Sequence, residues 1–105
     1  MNITFNDPEL ADLYEGKCVR SKSQANTQMI KQYIKTIQKL YSLEKIEQIY
    51  QFNGLHYEKL KGKWKGKSSI RINKQYRLIF KEINSDHEPY ELICLSVEQI
   101  TNHYE

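Results

Sequence analysis

The apolar residues of this chain change their period once, and that change fixes the class of fold. From Met29 they recur at helical spacing: Met29, Ile30, Tyr33, Ile34, Ile37, Leu40 and Tyr41, then, after a break in phase at Ser42, Leu43, Ile46, Ile49 and Tyr50. That is the stripe of an amphipathic helix. Ser42 is a suitable N-cap, so the pattern predicts consecutive helices from about Gln24, joined by a kink and ended by Asn53-Gly54. Beyond that pair the period drops to two residues. Leu55 to Leu60 and Ser68 to Ile72 read as strands, and Asn73-Lys74 as a tight turn. In Tyr76 to Ile83, Tyr76, Leu78 and Phe80 alternate with Arg77, Ile79 and Lys81. Tyr90 to Val97 is nearly all apolar, which predicts a strand central in the sheet.

The N-terminal part completes the layout. Asn2 to Phe5 reads as a short strand. Asp7-Pro8 then pairs an N-cap with a proline at the first helical position. Leu10, Leu13 and Tyr14 fall on one face of that helix, and Gly16 can close it. Ser21 to Asn26 and Asn84 to Pro89 are polar loops, and Glu98 to Glu105 is a polar tail with at most a helical turn. The expected fold is α+β: an N-terminal strand and helices packed on one face of an antiparallel sheet. At 105 residues, with no repeat or linker, the chain is expected to form one domain over 1–105.

The charge is local. The net charge is only +3, yet lysines occupy every second position from Lys59 through Lys61, Lys63 and Lys65 to Lys67, with Arg71, Lys74 and Arg77 close behind. If this stretch is extended, the lysines share one face; if Gly62 and Gly66 make a turn, they fan around its tip. Either arrangement suits a polyanion. No apolar run reaches the roughly 18 residues of a membrane span and no signal peptide is evident, so a cytoplasmic protein without a membrane partner is expected. Cys18 and Cys94 are the only cysteines, with Cys94 expected reduced and buried in a strand. No Cys/His cluster has zinc spacing, so no metal is expected.

Three segments carry a resemblance. Leu60-Lys61-Gly62, then Ser69-Ile70-Arg71-Ile72-Asn73, then Gln75-Tyr76-Arg77-Leu78-Ile79-Phe80 resemble the core of the RelE/HigB-type toxins of bacterial toxin–antitoxin pairs. Phe5-x-Asp7-x-x-Leu10-x-x-Leu13 and Ile100-x-Asn102-His103-Tyr104 look like the plasmid-maintenance killer branch of that family. The resemblance covers nearly the whole chain. It implies a RelE-like fold and a toxin, needing no cofactor, that cuts messenger RNA in the ribosomal decoding site. It also implies a helix-turn-helix, HigA-like antitoxin that holds the toxin inactive, with DNA contacted only through their complex. The ParE branch shares this fold but poisons DNA gyrase, so fold alone leaves the activity open. A plain RNA- or DNA-binding module is also permitted by composition.

Cutting RNA without a metal needs a base for the 2′-hydroxyl proton, cations for the phosphorane and an acid for the leaving 5′-oxygen. By resemblance Lys61 matches a family active-site lysine, its bland alternative being a solvated loop residue. Arg71 and Arg77 match arginines that line the phosphate site. Each interrupts an otherwise apolar strand, so each needs a ligand or a carboxylate, with Glu58, Glu82 or Glu98 as the rival partners. The chain departs from the HigB pattern at Glu58, where many relatives carry histidine; His56 would share its strand face. It also lacks the closing Asp-Tyr-His, which leaves Glu98 as a candidate base and His103 as acid or base, should the tail fold over the sheet. Lys59, Lys63, Lys65, Lys67 and Lys74 are candidate RNA contacts. Trp64 and Tyr57 are candidate stacking residues, while Tyr76 reads as core.

Overall fold

The computed structural model describes residues 1–16 and 27–102. The expected loop Ser21 to Asn26, the helix start near Gln24 and Cys18 lie outside the described residues. Strand β1 (Asn2–Phe5) leads into helix α1 (Pro8–Tyr14), whose N-cap Asp7 accepts the amide of Glu9 at 2.9 Å. Gly16 follows at φ +80, where a side chain would be strained. Helix α2 (Thr27–Tyr41) buries Met29, Tyr33, Ile37 and Leu40. Tyr33 ties the two helices together by donating its hydroxyl to the Leu10 carbonyl at 2.7 Å, and burial raises its phenol pKa.

Ser42 does not start a second helix. Its hydroxyl donates to the Lys39 carbonyl at 2.6 Å, closing α2 instead. The next segment, Ile46–Gln51, is a 3-10 helix whose start is held by Gln48, its side-chain oxygen accepting the Glu44 and Lys45 amides at 2.7 and 3.3 Å. The expected strand Leu55 to Leu60 shrinks to β2, Glu58–Lys59. Leu55 reaches the core from a 3-10 turn over Asn53–Leu55, and His56 then takes a left-handed conformation at φ 48, ψ 53. A buried leucine read as one step of a pleat belongs to a turn.

Strands β3 (Ser68–Arg71), β4 (Arg77–Asn84) and β5 (Leu92–Thr101) complete a five-stranded sheet in the order β1-β5-β4-β3-β2. Pairing is antiparallel throughout except for β1, which runs parallel to β5 with Ile3 opposite Leu95. β5 is interior as expected, between β1 and β4, yet Ile93 is 47% exposed where the register shifts, and Cys94 is half-buried rather than buried. Nor does a polar tail begin at Glu98. β5 continues to Thr101 because Ile100 pairs with Leu78, while Gln99 and Thr101 face the other way.

The core lies between the helices and one sheet face: Leu10, Leu13, Met29, Tyr33, Ile37 and Leu40 against Ile70, Leu78, Phe80, Leu95 and Val97. Side chains alternate across a strand, so Ser69, Arg71, Arg77 and Ile79 point to the opposite face. Ile79 is nonetheless completely buried. Both sides of the sheet's centre are therefore covered.

Candidate functional site

The turn between β3 and β4 assembles a cluster of cations. The backbone amides of Ile72 and Asn73 donate to the Tyr76 carbonyl at 2.9 and 3.3 Å. Inside the turn, Asn73 Oδ1 accepts the amides of Gln75 and Tyr76, both at 2.8 Å, the self-bonding turn that asparagine favours. Its Nδ2 donates to Gln32 Oε1 at 2.9 Å, which pins the turn to α2. The register that results sets Arg71 directly opposite Arg77 on the face away from the helices. Together with Asn73, Lys74, Gln75 and Asn102 they line a cleft of about 280 Å³.

The two arginines differ in how they are held. Arg77 donates from Nε and Nη2 to the hydroxyl of Ser69 at 3.2 and 2.8 Å, and from Nη2 to the His56 carbonyl at 2.9 Å. Arg71 is half-buried and makes no hydrogen bond or ion pair with the described residues. Like charges directly opposite on neighbouring strands destabilise a sheet. A pair so placed favours an anion between its members, and a planar guanidinium suits the oxygens of a phosphate.

The carboxylates that might have neutralised this pair are mostly committed elsewhere. Glu82 lies on the core side, where its Oε2 accepts the hydroxyls of Tyr57 and, at 2.7 Å, Ser68. Burial, then the bond to Glu82, raises the Tyr57 pKa. Tyr57 also stacks on Phe80, with ring centroids 6.2 Å apart, so it belongs to the packed structure rather than to an exposed stacking surface. Glu98 accepts the Ser96 hydroxyl at 2.8 Å and pairs with Lys67 at 3.6 Å, at the register shift between Ile79 and Phe80. Glu58 lies nearer the pair: register places it opposite Ser69, whose hydroxyl holds Arg77.

The lysine run takes the turn geometry. Gly62–Trp64 forms a 3-10 turn, and Gly62 and Gly66 have positive φ, +66 and +89. Lys59, Lys61, Lys63 and Lys65 are exposed around it, and Lys67 is half-buried. Trp64 does not stand clear at the tip. It is half-buried, its Nε1 is buried without an acceptor among the described residues, and the ammonium groups of Lys63 and Lys67 each lie 5.8 Å from its ring centroid.

Two groups thus emerge where the sequence suggested one. Arg71, Lys74 and Arg77 share the cleft at the β3–β4 turn. Lys63, Trp64, Lys67 and Glu98 gather at the other end of β3, three residues or about 10 Å along the strand from Ser68 to Arg71. Lys61 belongs to that second end. His103 lies outside the described residues, although Asn102 before it lines the cleft and Thr101 pairs with Arg77. Ser69 and the His56 carbonyl were not visible as site groups in the sequence. A serine two residues before a half-buried arginine on the same strand face was the available signal; the backbone carbonyl left none.

The family described as the RelE-like toxin of the type II toxin-antitoxin system HigB matches residues 3–90. Among solved structures, the YoeB/ParE toxin from Agrobacterium tumefaciens is 21% identical, with 99% of this chain and 100% of that chain covered at a TM-score of 0.52. The YoeB-YefM complex from Staphylococcus aureus matches at 26% identity over 99% of this chain and 98% of that one, with a TM-score of 0.48. No curated protein matches the chain.

Proposed function

The chain belongs to the RelE-like toxins of type II toxin-antitoxin systems, of the HigB kind, and on that premise we propose that it is a metal-independent endoribonuclease cutting messenger RNA on the ribosome. The observation that carries this reading is the half-buried arginine pair: Arg71 opposite Arg77, Arg71 without a partner among the described residues, both lining one cleft. In this reading the scissile phosphate sits between the two guanidinium groups, with Lys74 beside it. The 2′-oxygen attacks phosphorus as its proton passes to a base, the bond from phosphorus to the 5′-oxygen breaks, and that oxygen takes up a proton. The products are a 2′,3′-cyclic phosphate and a free 5′-hydroxyl. The cations stabilise the charge that builds on the phosphorane.

The geometry favours Glu58 as the base over Glu98 and Lys61. Glu58 shares the arginines' sheet face and lies opposite Ser69, whereas Glu98 sits beside Lys67 at the other end of β3. His103 is a candidate acid because it follows the cleft residue Asn102. Lys59, Lys63, Lys65 and Lys67 then act on the RNA and ribosome at longer range, adding attraction more than chemistry. A helix-turn-helix antitoxin would neutralise the protein in the cytoplasm by occupying this basic surface, and DNA would be met only through that complex.

The test is to induce the chain alone in growing bacteria and map new RNA 5′ ends, with and without a block of translation initiation. Growth arrest with in-frame cuts that vanish under the block is expected, and Arg77→Ala should abolish both while leaving the fold intact. Arrest without new ends, accompanied by DNA-damage signalling, would replace this reading with a gyrase poison. Loss of helicity in Arg77→Ala would make Arg77 a structural residue.

A further inference from the structure

The grip on Arg77 has more parts than packing alone requires. A guanidinium carries five N–H donors, and the hydrogen bonds to Ser69 and His56 use its Nε and Nη2 edge. Ser69 is completely buried, in the middle of β3, and spends its hydroxyl as a two-pronged acceptor. The second acceptor exists because of an unusual backbone. His56 is the only described non-glycine residue with positive φ, and its carbonyl accepts from Arg77 while its imidazole is exposed. Such a conformation costs free energy and persists where the surroundings hold it. Both of these acceptors are neutral oxygens that fix the direction of the guanidinium.

We propose that Ser69 and the left-handed backbone at His56 are positioning groups that lock the guanidinium of Arg77 in the orientation required at the scissile phosphate. This rests on the reading of Arg77 as a phosphate ligand. A long, flexible side chain must otherwise be ordered during the reaction, and a donor misplaced by about 1 Å can slow a reaction on the order of a hundredfold. Held in advance by the Ser69 hydroxyl and the His56 carbonyl, Arg77 meets the developing charge without reorganising. Arg71, which no described residue holds, supplies charge from the opposite strand and can follow the phosphate as it moves.

Two measurements on the full chain test this. The first is a ¹⁵N–¹H spectrum of the arginine side chains. A slowly exchanging Arg77 Nε–H signal, assigned by its absence in Arg77→Lys, should broaden or vanish in Ser69→Ala while the backbone amide pattern is retained. The second is single-turnover cleavage on programmed ribosomes. Ser69→Ala should lower the maximal rate on the order of tenfold to a hundredfold, with half-saturation changed less than about threefold, because the charge that aids docking is still there. In an Arg77→Lys background, which has no fork to hold, Ser69→Ala should cost less than about twofold more. Wild-type cleavage by Ser69→Ala, or an equal loss in both backgrounds, overturns the proposal. Wild-type cleavage by Arg77→Lys, or no cleavage by the unaltered chain, instead overturns the phosphate reading, while the spectrum still decides whether the grip exists.

Discussion

Replacing Arg71 by methionine should move stability and activity in opposite directions. Arg71 lies opposite Arg77, with no hydrogen bond or ion pair among the described residues. Methionine keeps much of the apolar stem that an arginine packs with and removes only the charge. A charged cross-strand pair is worth roughly 0.2–1 kcal/mol, and a like-charged pair costs a similar amount. Relief of that repulsion should raise the melting temperature by about 1 to 8 °C, since 1 kcal/mol is worth roughly 4–8 °C in a domain of this size. The gain should shrink in 1 M salt, where the screening length falls to about 3 Å. Cleavage should fall about 10- to 150-fold, the kinetic equivalent of losing a charged hydrogen bond of roughly 1.5–3 kcal/mol. Thermal melting in low and high salt, beside single-turnover cleavage, reads both quantities. A variant that melts below the wild type would refute the reasoning, because Arg71 would then be a structural cation with a partner.

Binding to single-stranded RNA should weaken with salt at a slope of roughly −4 if six cations meet phosphates, and Lys74→Ala should flatten it by about 0.7; an unchanged slope in that variant would remove Lys74 from the contact surface. Asn73→Ala should lose about 1–2 kcal/mol in urea unfolding, because its Oδ1 accepts two backbone amides and its Nδ2 holds Gln32. Cleavage should fall with it as the arginines lose their register, and a variant of unaltered stability would show that the turn forms without this side chain. Burial, with the bond to Glu82 second, holds the Tyr57 phenol protonated above its ordinary pKa of about 10. The stability linked to that shift is fully present below pH 10 and is lost as pH rises through the higher folded value. Wild type should therefore lose stability above pH 10 more steeply than Tyr57→Phe in urea titrations, and parallel curves would contradict the assigned burial.

Much of this layout is legible in the sequence for a definite reason. The helical stripe and the later alternation each repeat often enough to fix a period, and the β3–β4 hairpin is set locally by Asn73 and the residues flanking it. Arg71 and Arg77 become cross-strand partners because they are six residues apart around a tight turn, so their meeting needs no tertiary information. Lys61 and Glu98 are different. Whether they join the arginines depends on the path of the glycine turn and on one extra residue in β5, and neither leaves a periodic trace. Leu55 misled for the opposite reason, since a 3-10 turn buries a single leucine as fully as a strand does.

The separation of the two basic groups has a physical rationale under the proposed function. Guanidinium groups recognise phosphate through a planar fork, so their value depends on orientation; lysine ammonium groups act as point charges on flexible stems, so theirs depends mainly on number and distance. In this chain the arginines stand on paired strands over a covered sheet centre, one of them held by buried Ser69. The lysines are carried by a 3-10 turn whose glycines take positive φ and whose ammonium groups are mostly exposed. Exchanging the types should therefore be asymmetric. Arginine in place of Lys63 or Lys65 should keep the attraction for RNA and its salt dependence, whereas lysine in place of Arg77 should keep the charge and lose the rate. Equal tolerance at the two ends of β3 would mean that the whole surface works as an undivided field of charge.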